Sequence, residues 1–292
     1  MSVSERDSDY VRTNDRCGLV LDFETFLPIV DVLFAKSIDF MVWQPNIVSI
    51  QKEDGTPVSN VDRNAQTFVT NVLKKLAPHI PVCGEEDGQR RVSFGELPDT
   101  YWSVDPIDGT RFYEAMKDEW CVSIALVAGG EPCVGIILQP GKGEAYVAIK
   151  GRGIYMRTRE ITWRKFVRAA AVNPMLVVPT SLSVLRDPVL TQQAVRLTTH
   201  FKNTFSVPSA LAVLEIVRGH AWGWASLFQP WCWDIAAACV LIGEIGGIAL
   251  CADGTPIPLH TDRLPPVVFA VSYNKAEEIG LVLMAQSATA SR

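Results

Sequence analysis

The stretch Trp102-Ser103-Val104-Asp105-Pro106-Ile107-Asp108-Gly109-Thr110 constrains this chain more than any other. Its apolar lead-in reads as the end of a buried strand, and Asp-Pro followed by Asp-Gly predicts an abrupt turn. Two carboxylates are thereby thrust out at a strand end, where each raises the other's pKa unless a cation lies between them. Read alone, the same residues also suit a solvated Asx-rich turn.

At 292 residues the chain is long enough for one large domain or for two lobes packed together. Hydrophobic residues make up 48% and charged residues 20%, so a sizeable core is available. Net charge is -5 and no basic run exceeds Arg90-Arg91, so nucleic acid is not an expected partner. Seven cysteines with no Cys-x-x-Cys spacing argue for reduced, mostly buried thiols in a cytoplasmic protein. Residues 1–21 read as a flexible tail that lacks the apolar centre of a signal peptide. The apolar run from Ile235 to Gly243 is far short of the ~20 residues a membrane helix needs, so no membrane association is expected.

Along the chain, apolar residues from Phe26 to Met41 recur at helical spacing, which predicts a long amphipathic helix over 22–43. A second helix is expected from Asn60 to Leu76, stopped by Pro78, with Asp62 in its first turn. A carboxylate there is favoured by the backbone amides whatever else it does. Ile80 to Cys83 reads as a short strand ending in Gly84-Glu85-Glu86-Asp87, an acidic turn that is either solvated surface or part of a site. A short helix over 111–115 follows the opening stretch, its first amides suited to a phosphate oxygen. Short β-rich runs between Cys121 and Met156, separated by Gly-rich turns, predict an antiparallel meander. The N-terminal α+β lobe with the acids is placed at 22–160, and the polar stretch 150–171 holds the boundary. A C-terminal lobe over 161–292 alternates strands and helices as an α/β layer. Its helix over 235–245 is preceded by Trp233-Asp234, where Asp234 is a plain N-cap or a site residue. The alanines beside it permit close approach to another backbone.

Taken in order, Asp62, Gly84-Glu85-Glu86, Asp105-Pro106-Ile107-Asp108-Gly109-Thr110 and Trp233-Asp234-Ile235-Ala236-Ala237 resemble the signatures of the inositol monophosphatase family of lithium-sensitive, magnesium-dependent phosphatases. The segment from Lys52 through Asp54, Thr56-Pro57-Val58-Ser59 and Val61 to Asp62 resembles that family's lysine-to-aspartate loop. The resemblance runs from about residue 22 to about residue 284. It implies a layered αβαβα sandwich of the inositol monophosphatase / fructose-1,6-bisphosphatase type, a homodimer, and lithium inhibition. It also implies that Glu85, Asp105, the carbonyl of Ile107, Asp108 and Asp234 hold two or three Mg²⁺ ions. Thr110, oriented by Asp62, would position and deprotonate the attacking water, with Glu85 helping to hold it. The amides of Gly109 and Thr110 would receive the phosphate, and Asp108 and Asp234 would also face the substrate. All-oxygen ligation suits a hard cation, and none of the four histidines falls in a motif. Hydrolysis of a phosphate monoester demands on the order of 20 kcal/mol of catalysis, more than one acid-base pair supplies.

Departures from the family pattern fall on substrate selection. Phe112 stands where the family commonly has Asn or Glu. Ala212 replaces the lysine of the family's nucleotidases within Pro208-Ser209-Ala210-Leu211-Ala212, and Leu227 replaces the glutamate common in inositol-type members. Trp222, Trp224, Trp231 and Trp233 form either an aromatic wall for a ring-bearing substrate or part of the core. Three readings follow. The first is a phosphatase for an inositol phosphate, sugar phosphate or related alcohol phosphate. The others are a 3'(2'),5'-bisphosphate nucleotidase or other nucleotide phosphatase, and a catalytically silent relative that binds a ligand.

Overall fold

A computed structural model describes residues 10–12, 20–43, 48–51, 57–86, 97–168, 175–179, 186–201 and 204–285. Lys52, Asp54 and Thr56 of the expected lysine-to-aspartate loop lie outside them, as does most of the polar loop after Glu86. Within the expected tail, β1 (Tyr10–Arg12) pairs antiparallel with β2 (Val20–Asp22). Helix α1 (Phe23–Trp43) follows, then the antiparallel pair β3 (Ser49–Gln51) and β4 (Pro57–Ser59), and helix α2 (Asn60–Leu76).

Two sheets carry the fold. The first has seven strands in the order β11-β10-β9-β8-β7-β6-β5. Its members are β5 (Val82–Gly84), β6 (Thr100–Asp108), β7 (Cys121–Ala128), β8 (Glu131–Gln139), β9 (Glu144–Ile149), β10 (Gly153–Thr158) and β11 (Arg164–Lys165). β5 and β6 are parallel and every other pairing is antiparallel, so the expected meander is present. β11 lies inside the stretch expected to be a polar connection and extends the sheet through Lys165. The short helix α3 (Thr110–Glu114) leaves the end of β6. The second sheet has five strands in the order β13-β12-β14-β16-β15. They are β12 (Met175–Val177), β13 (Thr204–Phe205), β14 (Ala221–Ala225), β15 (Ile248–Cys251) and β16 (Val267–Ala270). Between them run α4 (Pro188–Phe201), α5 (Ser209–Arg218) and α6 (Cys232–Glu244), and α7 (Tyr273–Met284) follows the last strand.

Alternation along the strands decides the layering, because successive side chains leave opposite faces of a sheet. Trp102, Val122, Ile124, Leu126, Ile136 and Val147 pack with Phe26, Val30 and Phe34 of α1 and Ala65, Val69 and Leu73 of α2. On the other face Tyr101, Ala125, Val127, Ile137 and Ala148 meet the buried residues of α5 and α6, which in turn meet Trp224 and Phe269 of the second sheet. The outer face of that sheet, with Leu176, Val268 and Ala270, is covered by Ala194 and Leu197 of α4 and Ala276, Ile279 and Leu283 of α7. The order is therefore helices, sheet, helices, sheet, helices: the expected αβαβα sandwich.

β6 departs from expectation in one respect. The strand does not turn at Asp105-Pro106 but runs on to Asp108, pairing Asp105 with Ser123 and then Asp108 with Cys121. Three steps along β6 thus match two along β7, which is a bulge, and Pro106 falls inside it, where its missing N–H breaks no ladder bond. The turn comes one residue later, at Gly109, whose φ of 94° is open to glycine and costly for other residues.

Candidate active site

The bulge and the turn after it bring the acids together. Both carboxylates of β6 are nearly buried, Asp105 at 2% and Asp108 at 7% exposure. Asp105 folds back to accept the Ile107 amide at 2.9 Å through Oδ1. Asp108 accepts the Ala210 amide at 2.8 Å through Oδ2, and the Cys121 thiol reaches the same oxygen at 3.8 Å. Ala210 is in the first turn of α5, so the second part of the chain supplies an amide to an acid of the first sheet. At the end of β5 the Glu85 amide bonds Val104 O at 3.1 Å, which sets Glu85 beside β6, half-buried.

Asp234 comes from the third residue of α6, and is not its cap. The helix starts at Cys232, with Trp231 as the cap residue, and the Asp234 carboxylate accepts the Trp231 amide at 2.8 Å. Trp231 stacks on Trp233 at a centroid distance of 5.0 Å, and the Arg263 guanidinium lies 4.4 Å from the centroid of the Trp231 ring. Trp233 and Trp224 are buried, so these two belong to the core and not to an exposed aromatic wall.

Asp62 is buried in the first turn of α2. Ser59 completes a capping box around it, its amide and hydroxyl donating to Oδ2 at 2.7 and 2.5 Å. Oδ1 is left toward Thr110, whose hydroxyl donates to it at 3.5 Å and to the Ile107 carbonyl at 3.2 Å. The cap role and the site role of Asp62 are therefore compatible, one oxygen for each.

Electrostatically the acids act on one another. Burial raises the Asp105 carboxyl well above the ordinary range, and Glu85, Asp108 and Asp234 raise it further. Asp108 is pushed up to about 7, chiefly by burial, against the Ala210 amide that holds it down. Burial also raises the Cys121 thiol, reinforced by Asp108 and Asp105. In their present positions no three metal-ligating side chains among the described residues close around a common point. Asp105, Asp108 and Asp234 each give an oxygen to a backbone amide. As donor chemistry the set fits a hard divalent cation: carboxylates, one carbonyl at Ile107, and a buried negative charge that needs neutralising.

The sequence missed Ser59, Cys121 and Ala210 as members of this site. Ser59 was legible as an Ser-x-x-Asp cap, whereas the other two meet Asp108 only through tertiary packing. Glu86 is half-buried beside Glu85. Of the expected selectivity positions, Phe112 is half-buried with Lys117 Nζ 5.6 Å over its ring. Ala212 and Leu227 are both buried in the core.

A sequence model of the inositol monophosphatase family matches residues 35–288. The chain belongs to that family. Members of the inositol monophosphatase family are phosphoric monoester hydrolases dependent on Mg²⁺, and this protein is a phosphatase of that superfamily. Among curated relatives, an inositol-1-monophosphatase of Synechocystis sp. is 28% identical over 255 residues, covering 83% of this chain and 84% of the relative. The 3'(2'),5'-bisphosphate nucleotidase CysQ of Shigella flexneri is 29% identical over 208 residues, covering 71% of this chain and 81% of the relative. Among solved structures, an inositol monophosphatase/NADP phosphatase complexed with Mg²⁺ and phosphate superimposes with a TM-score of 0.69 at 18% identity, covering 90% of this chain and 97% of that one. That likeness concerns the fold.

Proposed function

We propose that this family member hydrolyses a small phosphate monoester, an inositol phosphate, sugar phosphate or related alcohol phosphate, at the cluster formed by Asp62, Glu85, Asp105, Ile107, Asp108, Gly109, Thr110 and Asp234. The observation that carries the reading is the gathering of Glu85, Asp108 and Asp234 around Asp105, whose carboxyl is raised first by burial and then by those three acids, a buried concentration of negative charge that bound cations would neutralise. Glu85, Asp105, the Ile107 carbonyl, Asp108 and Asp234 would hold two or three Mg²⁺ ions. Bound there, the metal supplies neutralisation of the phosphate, acidification of the attacking water and stabilisation of the leaving oxygen.

The chain's own residues do the rest. Ser59 fixes one oxygen of Asp62, which leaves the other to receive the Thr110 hydroxyl proton. The single O–H of Thr110 is shared inward between Asp62 and the Ile107 carbonyl, so its lone pairs are what it offers a water. A proton leaving that water at Thr110 Oγ1 passes on to Asp62 Oδ1. The amides of Gly109 and Thr110 donate to no protein group among the described residues, and we assign them to phosphate oxygens. Asp108 and Asp234, already tied to backbone amides, orient the ester from the two sides.

The nucleotidase reading draws support from the CysQ relative. Against it, the residue at 212 is an alanine buried in the core, which leaves no cation there for a second phosphate. We propose two units divided near the expected 160/161 boundary, moved to follow Lys165 because β11 still pairs with β10 of the first sheet. A cytoplasmic setting and a homodimer belong to the same proposal. Cys121, Cys239 and Cys251 keep their thiols unoxidised, which supports a reducing compartment, and sedimentation measures the assembly. Release of phosphate from a panel of cyclitol, sugar, alcohol and nucleoside phosphates, with Mg²⁺ and then with chelator, tests the function. Turnover of an alcohol or cyclitol phosphate that chelation stops is expected. A preference for adenosine bisphosphates selects the second reading, and no release from any ester, with metal bound, refutes both.

A further inference from the structure

Asp234 reaches the acids of β6 at the tip of α6, and α6 is seated on the same sheet that carries Asp105 and Asp108. Its middle leaves no room for adjustment. A Cβ at Gly135 of β8 would stand 2.4 Å from the carbonyl oxygen of Ala237 and 3.0 Å from Leu241 Cδ1. Ala237 lies one turn beyond Asp234. Near the tip, the Ser123 hydroxyl donates to the Trp233 carbonyl at 3.2 Å, and Ser103 Oγ meets Cys232 Sγ at 3.8 Å.

The far end is closed by Glu244, the last residue of the helix and about 15 Å from Asp234 along its axis. Its two carboxylate oxygens accept the amides of Gly151 and Gly153, each at 2.6 Å, in the turn that joins β9 to β10. An acid in a last turn faces the negative end of the helix dipole, so Glu244 works against its own helix. The paired amide bonds offset that cost, and they tie the helix to the sheet and not to itself.

We propose that Gly135 and Glu244 are positioning residues for Asp234: the seat at Gly135 sets how closely α6 approaches the sheet and the clasp at Glu244 how far it reaches along it, and so where Asp234 stands relative to Asp105 and Asp108. The proposal rests on the metal-holding role assigned to Asp234 above. Relieving a 2.4 Å contact to ordinary separation moves the helix by about 1 Å, and disturbing what orients a metal ligand costs roughly 10- to 100-fold in metal affinity.

The experiment titrates Mg²⁺ into the metal-free full chain by calorimetry and follows the Mg²⁺-dependent rise in Tm. It compares wild type with Glu244→Ala, Glu244→Gln and Gly135→Ala. Arg157→Ala serves as a comparison, because its ion pair with Asp31 joins β10 to α1 and does not touch α6. Glu244→Ala is expected to weaken Mg²⁺ binding about tenfold, and Glu244→Gln, which keeps one acceptor, about threefold. Gly135→Ala is expected to weaken it about 10²-fold, while Arg157→Ala lowers Tm and leaves the Mg²⁺ Kd unchanged. Should Gly135→Ala fail to fold, the graded pair at Glu244 decides. Wild-type Mg²⁺ affinity in both Glu244 variants, or an equal loss in Arg157→Ala, overturns the proposal alone. A wild-type protein with no Mg²⁺ response overturns the metal-site reading and this proposal with it.

Discussion

Replacing Asp108 by asparagine should stabilise the metal-free protein while abolishing its turnover. Burial moves the Asp108 carboxyl from 3.8 to about 7. In the unfolded chain the group titrates near its ordinary value. Between about pH 4 and pH 7 the folded protein therefore holds a proton that the unfolded chain has released, and stability falls as pH rises through that window. Below it both states are protonated and no penalty exists; above it both are ionised and the penalty is complete. Each tenfold change in proton affinity is worth about 1.4 kcal/mol, so the full penalty is on the order of 4 kcal/mol. Asparagine keeps an oxygen for the Ala210 amide and turns a donor toward the remaining acids, so the geometry at 2.8 Å is retained without the charge. Guanidinium unfolding with chelator present, at pH 4 and pH 8, measures the effect. At pH 8 Asp108→Asn should exceed wild type by several kcal/mol, at pH 4 the two should agree closely, and added Mg²⁺ should stabilise wild type more than the variant. A variant less stable than wild type by the same amount at both pH values would show that the charge of Asp108 is not what strains the fold.

Further expectations concern its neighbours. Asp105→Asn should eliminate phosphate release with the circular dichroism spectrum unchanged, and retained activity would refute the site assignment. Gly109→Ala should lower stability by about 2 kcal/mol or more and depress kcat, because a left-handed φ is strained for alanine. The added Cβ would also stand 2.8 Å from Pro208 Cγ, so a normal Tm in a thermal melt contradicts this. Ser59→Ala removes both the helix cap and the hydroxyl that holds Asp62, and should cost about 1 kcal/mol together with a fall in kcat that exceeds any rise in KM. Unchanged kcat would leave Ser59 as a cap only.

How much of this was legible follows from the range of each interaction. The helices over 23–43 and 60–76, the meander and the alternation of the second sheet arise from periodicities of a few residues, and they lie close to where the pattern of apolar residues puts them. Asp62, Asp105, Asp108 and Thr110 sit in short motifs whose spacing is itself the signal. Boundaries that depend on neighbours came out differently. β6 runs past its Asp-Pro because it carries the extra residue as a bulge and regains its pairing with β7 at Cys121, and α6 starts early because Asp234 bonds the Trp231 amide from inside the first turn.

Local order along the chain, then, settled which residue types are available for phosphate chemistry and on which elements they ride. The packing of distant segments decided that they act together. Ala210 and Cys121 converge on Asp108, and Glu244 clasps a turn between strands of the other unit. Gly135 admits Ala237 to van der Waals range only because it lacks a side chain. None of these contacts has a periodicity or a spacing to announce it, since each joins parts of the chain that only the folded layers bring within reach. The raised pKa of Asp105 belongs to the same class: two acids three residues apart are ordinary in water, and shift one another once burial removes the solvent and brings Glu85 and Asp234 beside them.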